Sequence, residues 1–84
     1  MYKNNILKIR QDSELYVIMN RNLHIYFVND FVIDIIKQVL MNGKKEDIFL
    51  NMNKKYSKKY PSLNNDITSV IDYLLHNQII IQEE

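Results

Sequence analysis

Short apolar runs separated by polar breaks make up the first third of the chain, and apolar residues recur at helical spacing over most of the rest. ILKIR, Ile6 to Arg10, is short and β-branched, and the polar QDSE after it marks a turn. LYVIM, Leu15 to Met19, reads as a second strand and LHIYFV, Leu23 to Val28, as a third. Only Asn20-Arg21-Asn22 separates these two, and asparagine tolerates the left-handed backbone that a tight hairpin requires. The simplest arrangement is an antiparallel meander of three strands.

From Asn29 or Asp30 onward, either of which can cap a first turn, the apolar period changes to three and four. Phe31 or Val32, Ile35, Ile36, Val39 and Leu40 then form the buried stripe of a helix that closes at Asn42-Gly43. A second helix is predicted from Glu46 to about Tyr60, with Ile48, Phe49, Met52, Tyr56 and Tyr60 on its apolar side and Pro61 as its stop. Asn64-Asn65-Asp66 offers the cap of a third helix, which carries Ile67, Val70, Ile71, Leu74 and Leu75 inward and ends at Asn77. Ile79 to Ile81 is too short for a helix and is expected to lie extended against the body. The order predicts an α+β fold, a winged helix-turn-helix in which a three-stranded antiparallel sheet is followed by three helices.

Composition narrows the reading. At 84 residues the chain is expected to form one domain, 1–84, because so short a chain rarely supports two cores. It has no cysteine, which excludes thiol catalysis, cysteine-based zinc sites and disulfides. Eleven basic and ten acidic residues leave a formal charge of +1, too little for a global field toward nucleic acid or an anionic membrane. The charge is uneven: Lys44, Lys45, Lys54, Lys55, Lys58 and Lys59 fall between Gly43 and Pro61, against Glu46 and Asp47. The opening MYKNNILKIRQD lacks the apolar run of a signal peptide, and no stretch approaches the roughly 18 to 20 apolar residues of a membrane span. A cytoplasmic protein with no membrane partner is expected.

Catalysis finds few parts. His24 and His76 are the only histidines, and neither belongs to a metal-binding spacing. Asp30 and Asp34 stand four apart on the first helix, where the helix dipole alone accounts for acidic residues. With Gly43 as the only glycine there is no phosphate-cradling loop. The chain is therefore expected to be no enzyme and to need no cofactor or metal. The lysines of the second helix supply the alternative reading, a winged-helix DNA-binding regulator using Lys54, Lys55, Lys58 and Lys59. Against it, the third helix, which would read the groove, carries Asp66 and Asp72 and no Lys or Arg.

The third strand is the more informative element. By its period of two, Leu23, Ile25 and Phe27 share one face and His24, Tyr26 and Val28 the other. As the last strand of the meander it is expected to be a sheet edge with Tyr26 among its free amides, and LHIYFV lacks the proline or fixed charge that usually blunts an edge. Such an edge can accept a strand from another chain, and pairing with itself would give a weak homodimer in place of a monomer. On the third helix, Asp66, Ser69, Tyr73 and Asn77 form a second stripe beside the core positions, and Tyr73 next to Val70 suits the wall of a peptide groove.

These features together resemble a known family. The order of elements, the strand running into "VND", the Asn-Gly after the first helix and the closing "NNDITSVIDYLLHNQIII" are similar to the PqqD-like peptide chaperones, the RiPP recognition elements. Asp66 stands where that family has its aspartate, followed by Ile71, Leu74 and the Ile79 to Ile81 run. Val28 replaces a customary leucine, and Asn77-Gln78 a customary glycine. The resemblance implies a winged-helix domain that binds the leader of a ribosomally synthesised precursor peptide and presents it to a maturation enzyme, either a leader peptidase or a radical SAM enzyme. The standalone length resembles the recognition proteins of lasso peptide pathways. Carried over position by position, the resemblance implies that Leu23, His24, Ile25, Tyr26, Phe27 and Val28 template the added strand. Asp66, Ser69, Val70, Tyr73 and Leu74 then face it from the third helix.

Overall fold

A computed structural model describes residues 1–41, 43–56 and 61–83. The chain runs β1 (Tyr2–Asn4), β2 (Ile6–Asp12), β3 (Leu15–Asn20), β4 (Ile25–Val28), α1 (Asp30–Met41), α2 (Lys45–Tyr56), α3 (Leu63–His76) and β5 (Ile80–Gln82). The fold is α+β. A three-stranded antiparallel sheet in the order β2-β3-β4 precedes three helices, as the short apolar runs and the later helical spacing predict.

A second sheet joins β1 to β5, with Tyr2 opposite Gln82 and Asn4 opposite Ile80. The extended tail was expected, but no element was predicted at Tyr2–Asn4, which holds a single apolar side chain. Its strand character comes from distant partners. The Tyr2 amide donates to the Gly43 carbonyl at 2.7 Å, and the Glu83 amide donates to the Met1 carbonyl at 2.8 Å. Gly43 sits at φ 71°, and a β-carbon there would collide with the Tyr2 carbonyl oxygen. Glycine is needed for its backbone angle and for that close approach.

Three boundaries differ from expectation. The third strand begins at Ile25, because Leu23 takes a left-handed φ of 68° and donates its amide to the Asn20 carbonyl at 3.0 Å. The first strand of the meander extends to Asp12, with a bulge between Ile6 and Lys8. The third helix begins at Leu63, with Ser62 in the N-cap position, because Leu63 is itself buried and draws the start before the asparagines. Of the two candidate caps of α1, Asn29 is the one used, its Oδ1 accepting from the Val32 amide at 3.1 Å. The predicted end of the second helix, with Lys58, Lys59 and Tyr60, lies outside the described residues, as does Asn42.

Ile18, Ile35, Ile36, Ile48, Met52, Ile67, Leu74, Ile79 and Ile80 are fully buried and form one cluster drawn from both sheets and all three helices. α1 packs against α2, α3, β1 and β3, so its buried face is wider than a single stripe. It includes Ile33, which the spacing did not single out, while Leu40 stays exposed. Asn77 closes α3 as predicted, and Gln78 after it stands at φ 56°, a conformation that glycine reaches without steric cost. Among the described residues, no helix is long and apolar enough to cross a membrane.

Candidate functional site

β4 pairs with β3 in the register Tyr16 to Val28, Val17 to Phe27, Ile18 to Tyr26 and Met19 to Ile25. One residue earlier the Asn20 amide donates to the His24 carbonyl at 3.0 Å, which makes Asn20 and His24 a hydrogen-bonded pair. Such pairs alternate in an antiparallel ladder, so Tyr26 and Val28 bond to β3 while the N–H and C=O of Ile25 and Phe27 point away from it. The expectation of a free Tyr26 amide is thereby corrected. Among the described residues the sheet order gives β4 no second neighbour, so its outward amides belong to Ile25 and Phe27.

The same alternation sorts the side chains. Val28 is buried and Tyr26 half-buried on the face toward the helices, whereas Ile25 and Phe27 are 54% and 64% exposed. Beside the β4 edge, an apolar groove of about 350 Å³ runs to α3, lined by Phe27, Val28, Asn29, Val32, Ser69, Val70 and Tyr73. The Tyr26 and Tyr73 rings meet edge to face with centroids 6.4 Å apart, and the Tyr26 hydroxyl donates to the Asn77 carbonyl at 3.2 Å. Among the described residues the lining has no charged side chain, so an apolar guest side chain would leave no buried charge of theirs unpaired.

The end of β4 nearest α3's C-terminus is held by asparagine chemistry. Asn20 is completely buried and uses its whole hydrogen-bonding capacity. Its Nδ2 donates to the carbonyls of Asn77 at 3.1 Å and Gln78 at 3.4 Å. Its Oδ1 accepts from the amides of Asn22 at 3.0 Å and His24 at 2.9 Å. Asn5 Nδ2 adds a bond to the Gln78 carbonyl at 2.9 Å, and Asn22 Nδ2 one to Gln78 Oε1 at 2.6 Å. One amide side chain thus fixes the β3–β4 turn and ties it to the end of α3.

Of the residues expected at the site, Phe27, Val28, Ser69, Val70 and Tyr73 line one groove, and Tyr26 supports it from below through Tyr73. Leu23 and His24 belong to the turn and extend no strand. Ile25 offers its backbone to the edge, but its side chain lies on the opposite face of the sheet, beside Lys8, Arg10, Val17 and Met19. Leu74 is fully buried, so it is core and out of reach of a guest. Asp66 is half-buried in the first turn of α3 and does not line the groove. Sequence reasoning misses Asn29 and Val32 as groove residues, since one reads as a cap and the other as a core position. The signal was available, because a strand that runs directly into a helix brings that helix's first turn to the strand's end.

A charged cluster stands apart from the groove. Asp34 accepts from Lys55 Nζ at 2.8 Å and from the Tyr56 hydroxyl, which joins α1 to α2. Burial raises the Asp34 pKa, but the Lys55 and Tyr56 hydrogen bonds outweigh it and hold the carboxyl below its ordinary value. Lys55 also lies 5.4 Å from the Tyr56 ring centroid. Among the described residues, no group of three or more His, Cys, Asp or Glu side chains could hold a metal ion. No protein-family model, no curated protein and no solved structure matches the chain.

Proposed function

We propose that the chain is a non-catalytic peptide-binding module of the RiPP recognition element kind, a winged-helix domain that takes up a precursor's leader as a strand added to β4. The captured leader would then be presented to a maturation enzyme, a leader peptidase or a radical SAM enzyme. The observation that carries this reading is the open edge at Ile25 and Phe27 directly beside the uncharged groove of α3. Main-chain bonds to such an edge supply affinity for any extended peptide, and the groove selects among them through every second side chain. The left-handed Gln78, at the place where the resembled family has glycine, agrees with the same reading. Micromolar to nanomolar binding, about 8 to 12 kcal/mol, is the range for a site of this kind.

The DNA-binding alternative gains no support. Lys55 is engaged with Asp34, and α3 carries no lysine or arginine.

The test is titration of labelled candidate leader peptides, taken from short reading frames next to the gene for this chain, read by fluorescence anisotropy. Phe27→Pro removes an outward amide and leaves the β3–β4 bonds in place, and proline is tolerated at such edge positions. It is expected to weaken binding at least about tenfold, or about 1.4 kcal/mol, relative to Phe27→Ala, which keeps the amide. Val70→Asp, which puts a charge in the groove, is expected to abolish binding. Unchanged binding by folded Phe27→Pro and Val70→Asp proteins would reject the reading.

A further inference from the structure

The face of the three-stranded sheet turned away from Tyr26 and Val28 is apolar along its middle and charged along one side. Leu15, Val17 and Met19 of β3 share it with Ile25 and Phe27 of β4, and Leu15, Ile25 and Phe27 are all exposed. On β2, Lys8, Arg10 and Asp12 pair with Met19, Val17 and Leu15 and so point to this same face. These three charges have no ionic partner among the described residues. Contiguous apolar surface of this sort, bordered by charge, is characteristic of a contact surface.

The order of charges along β2 points to a particular occupant. Two cations stand toward one end and an anion at the other, so the strand is complementary to itself when reversed. We propose that this face packs against the same face of a second copy, sheet on sheet, about a two-fold axis perpendicular to the strands at the Arg10–Val17 row. That axis reverses strand direction and keeps β2 over β2, so Lys8 of each copy comes opposite Asp12 of the other, twice by symmetry. Met19 then comes opposite Leu15 of the second copy and Val17 opposite Val17. The two Arg10 side chains flank the axis, and their length lets them turn outward. Sheets stacked in this way lie about 10 Å apart, which apolar side chains of this size fill.

The contact is small. Three strands about 4.8 Å apart and five residues long at about 3.4 Å each give a patch of roughly 14 by 17 Å. That is well short of the roughly 1,200 to 2,000 Å² of total surface that stable complexes bury, so the dimer is weak and forms at high concentration. The contact shares Phe27 with the groove lining but does not rest on the groove reading. The outward amides of Ile25 and Phe27 lie in the plane of the sheet, and stacking leaves them open.

Sedimentation velocity of the whole chain from about 20 µM to 1 mM tests the proposal, a range that brackets weak association. The sedimentation coefficient is expected to rise with concentration toward that of a dimer, and Val17→Asp is expected to hold the chain monomeric. Lys8→Glu and Asp12→Lys should each weaken association by about fivefold or more, and the double variant should restore it to within about twofold, because the swapped pair is remade. A chain that stays monomeric throughout overturns the proposal. So does a dimer in which the double variant is no better than the singles, or one that survives Val17→Asp but is lost in Phe27→Pro, which would move the contact to the β4 edge. Should Val17→Asp fail to fold, the charge variants decide alone.

Discussion

The two turns of the three-stranded sheet are built on opposite plans. Between β2 and β3 the chain reverses at Ser13 and Glu14, both exposed, with Ser13 at φ 61° and one bond at 3.4 Å from Gln11 Nε2 to the Ser13 carbonyl. Between β3 and β4 it reverses around the buried Asn20, whose four hydrogen bonds reach the turn itself and the end of α3. The first turn connects two strands, whereas the second also sets where β4 stands relative to a helix. A strand with an open edge and an exposed face has little packing to locate it. Directional bonds at one end do that work, and they do it without covering the edge.

The sharpest way to break this contrast is Asn20→Leu, which fills the space, takes their acceptor from the Asn22 and His24 amides, and leaves the Asn77 and Gln78 carbonyls with only Tyr26 and Asn5 as donors. It is expected to cost about 2 to 4 kcal/mol in chemical denaturation with little change in m-value. Next comes Asp34→Asn, which separates the neutral asparagine clasp from the charged one between α1 and α2, at a cost of about 1 to 2 kcal/mol near neutral pH. Because the folded-state pKa of Asp34 lies below its ordinary value of 3.8, its contribution is present above that value and is lost as pH falls through the lower folded one. Asp34→Asn should therefore flatten the acid limb of the stability profile in that window. Asn20→Leu, with no titrating group at its site, should lower the whole profile evenly. Tyr26→Phe removes one bond to the Asn77 carbonyl and is expected to cost about 1 kcal/mol. The smallest effects belong to the left-handed residues. Leu23→Gly and Ser13→Gly should each stabilise by up to about 1 kcal/mol, since the relief of the left-handed angle exceeds the added chain entropy only narrowly. All are measurable as shifts in denaturation midpoint.

Where neighbouring residues decide the structure, the sequence was legible. Short β-branched and aromatic runs in ILKIR, LYVIM and IYFV bounded by polar breaks, and helical spacing from Phe31 and from Ile67, gave the meander and the helices because these are local properties of the chain. β1 was illegible, because three residues with one apolar side chain become a strand only by pairing with a segment at the other end of the chain. Leu23 misled for the opposite reason: it shares the period-two face of Ile25 and Phe27, but the bonds around Asn20 hold it in a turn that favours glycine or asparagine. For the groove, spacing identified the α3 side that carries Ser69 and Tyr73 beside Val70 and put Leu74 in the core, where it lies; only the family resemblance set Leu74 on the wall. Asn20 read as an ordinary turn residue, since its partners lie 57 and 58 positions away.

The turn at Leu23 also acts as a ruler. It stops β4 at four residues, two of which present outward amides, so any strand that adds there finds a template with a fixed end and only two backbone docking points. A shift by one residue exchanges the side chains facing the groove for those facing away, and a shift by two runs past half of the template. Such an edge reads an added segment in a frame of two, and a segment with apolar residues at the wrong parity is out of frame however well its backbone fits.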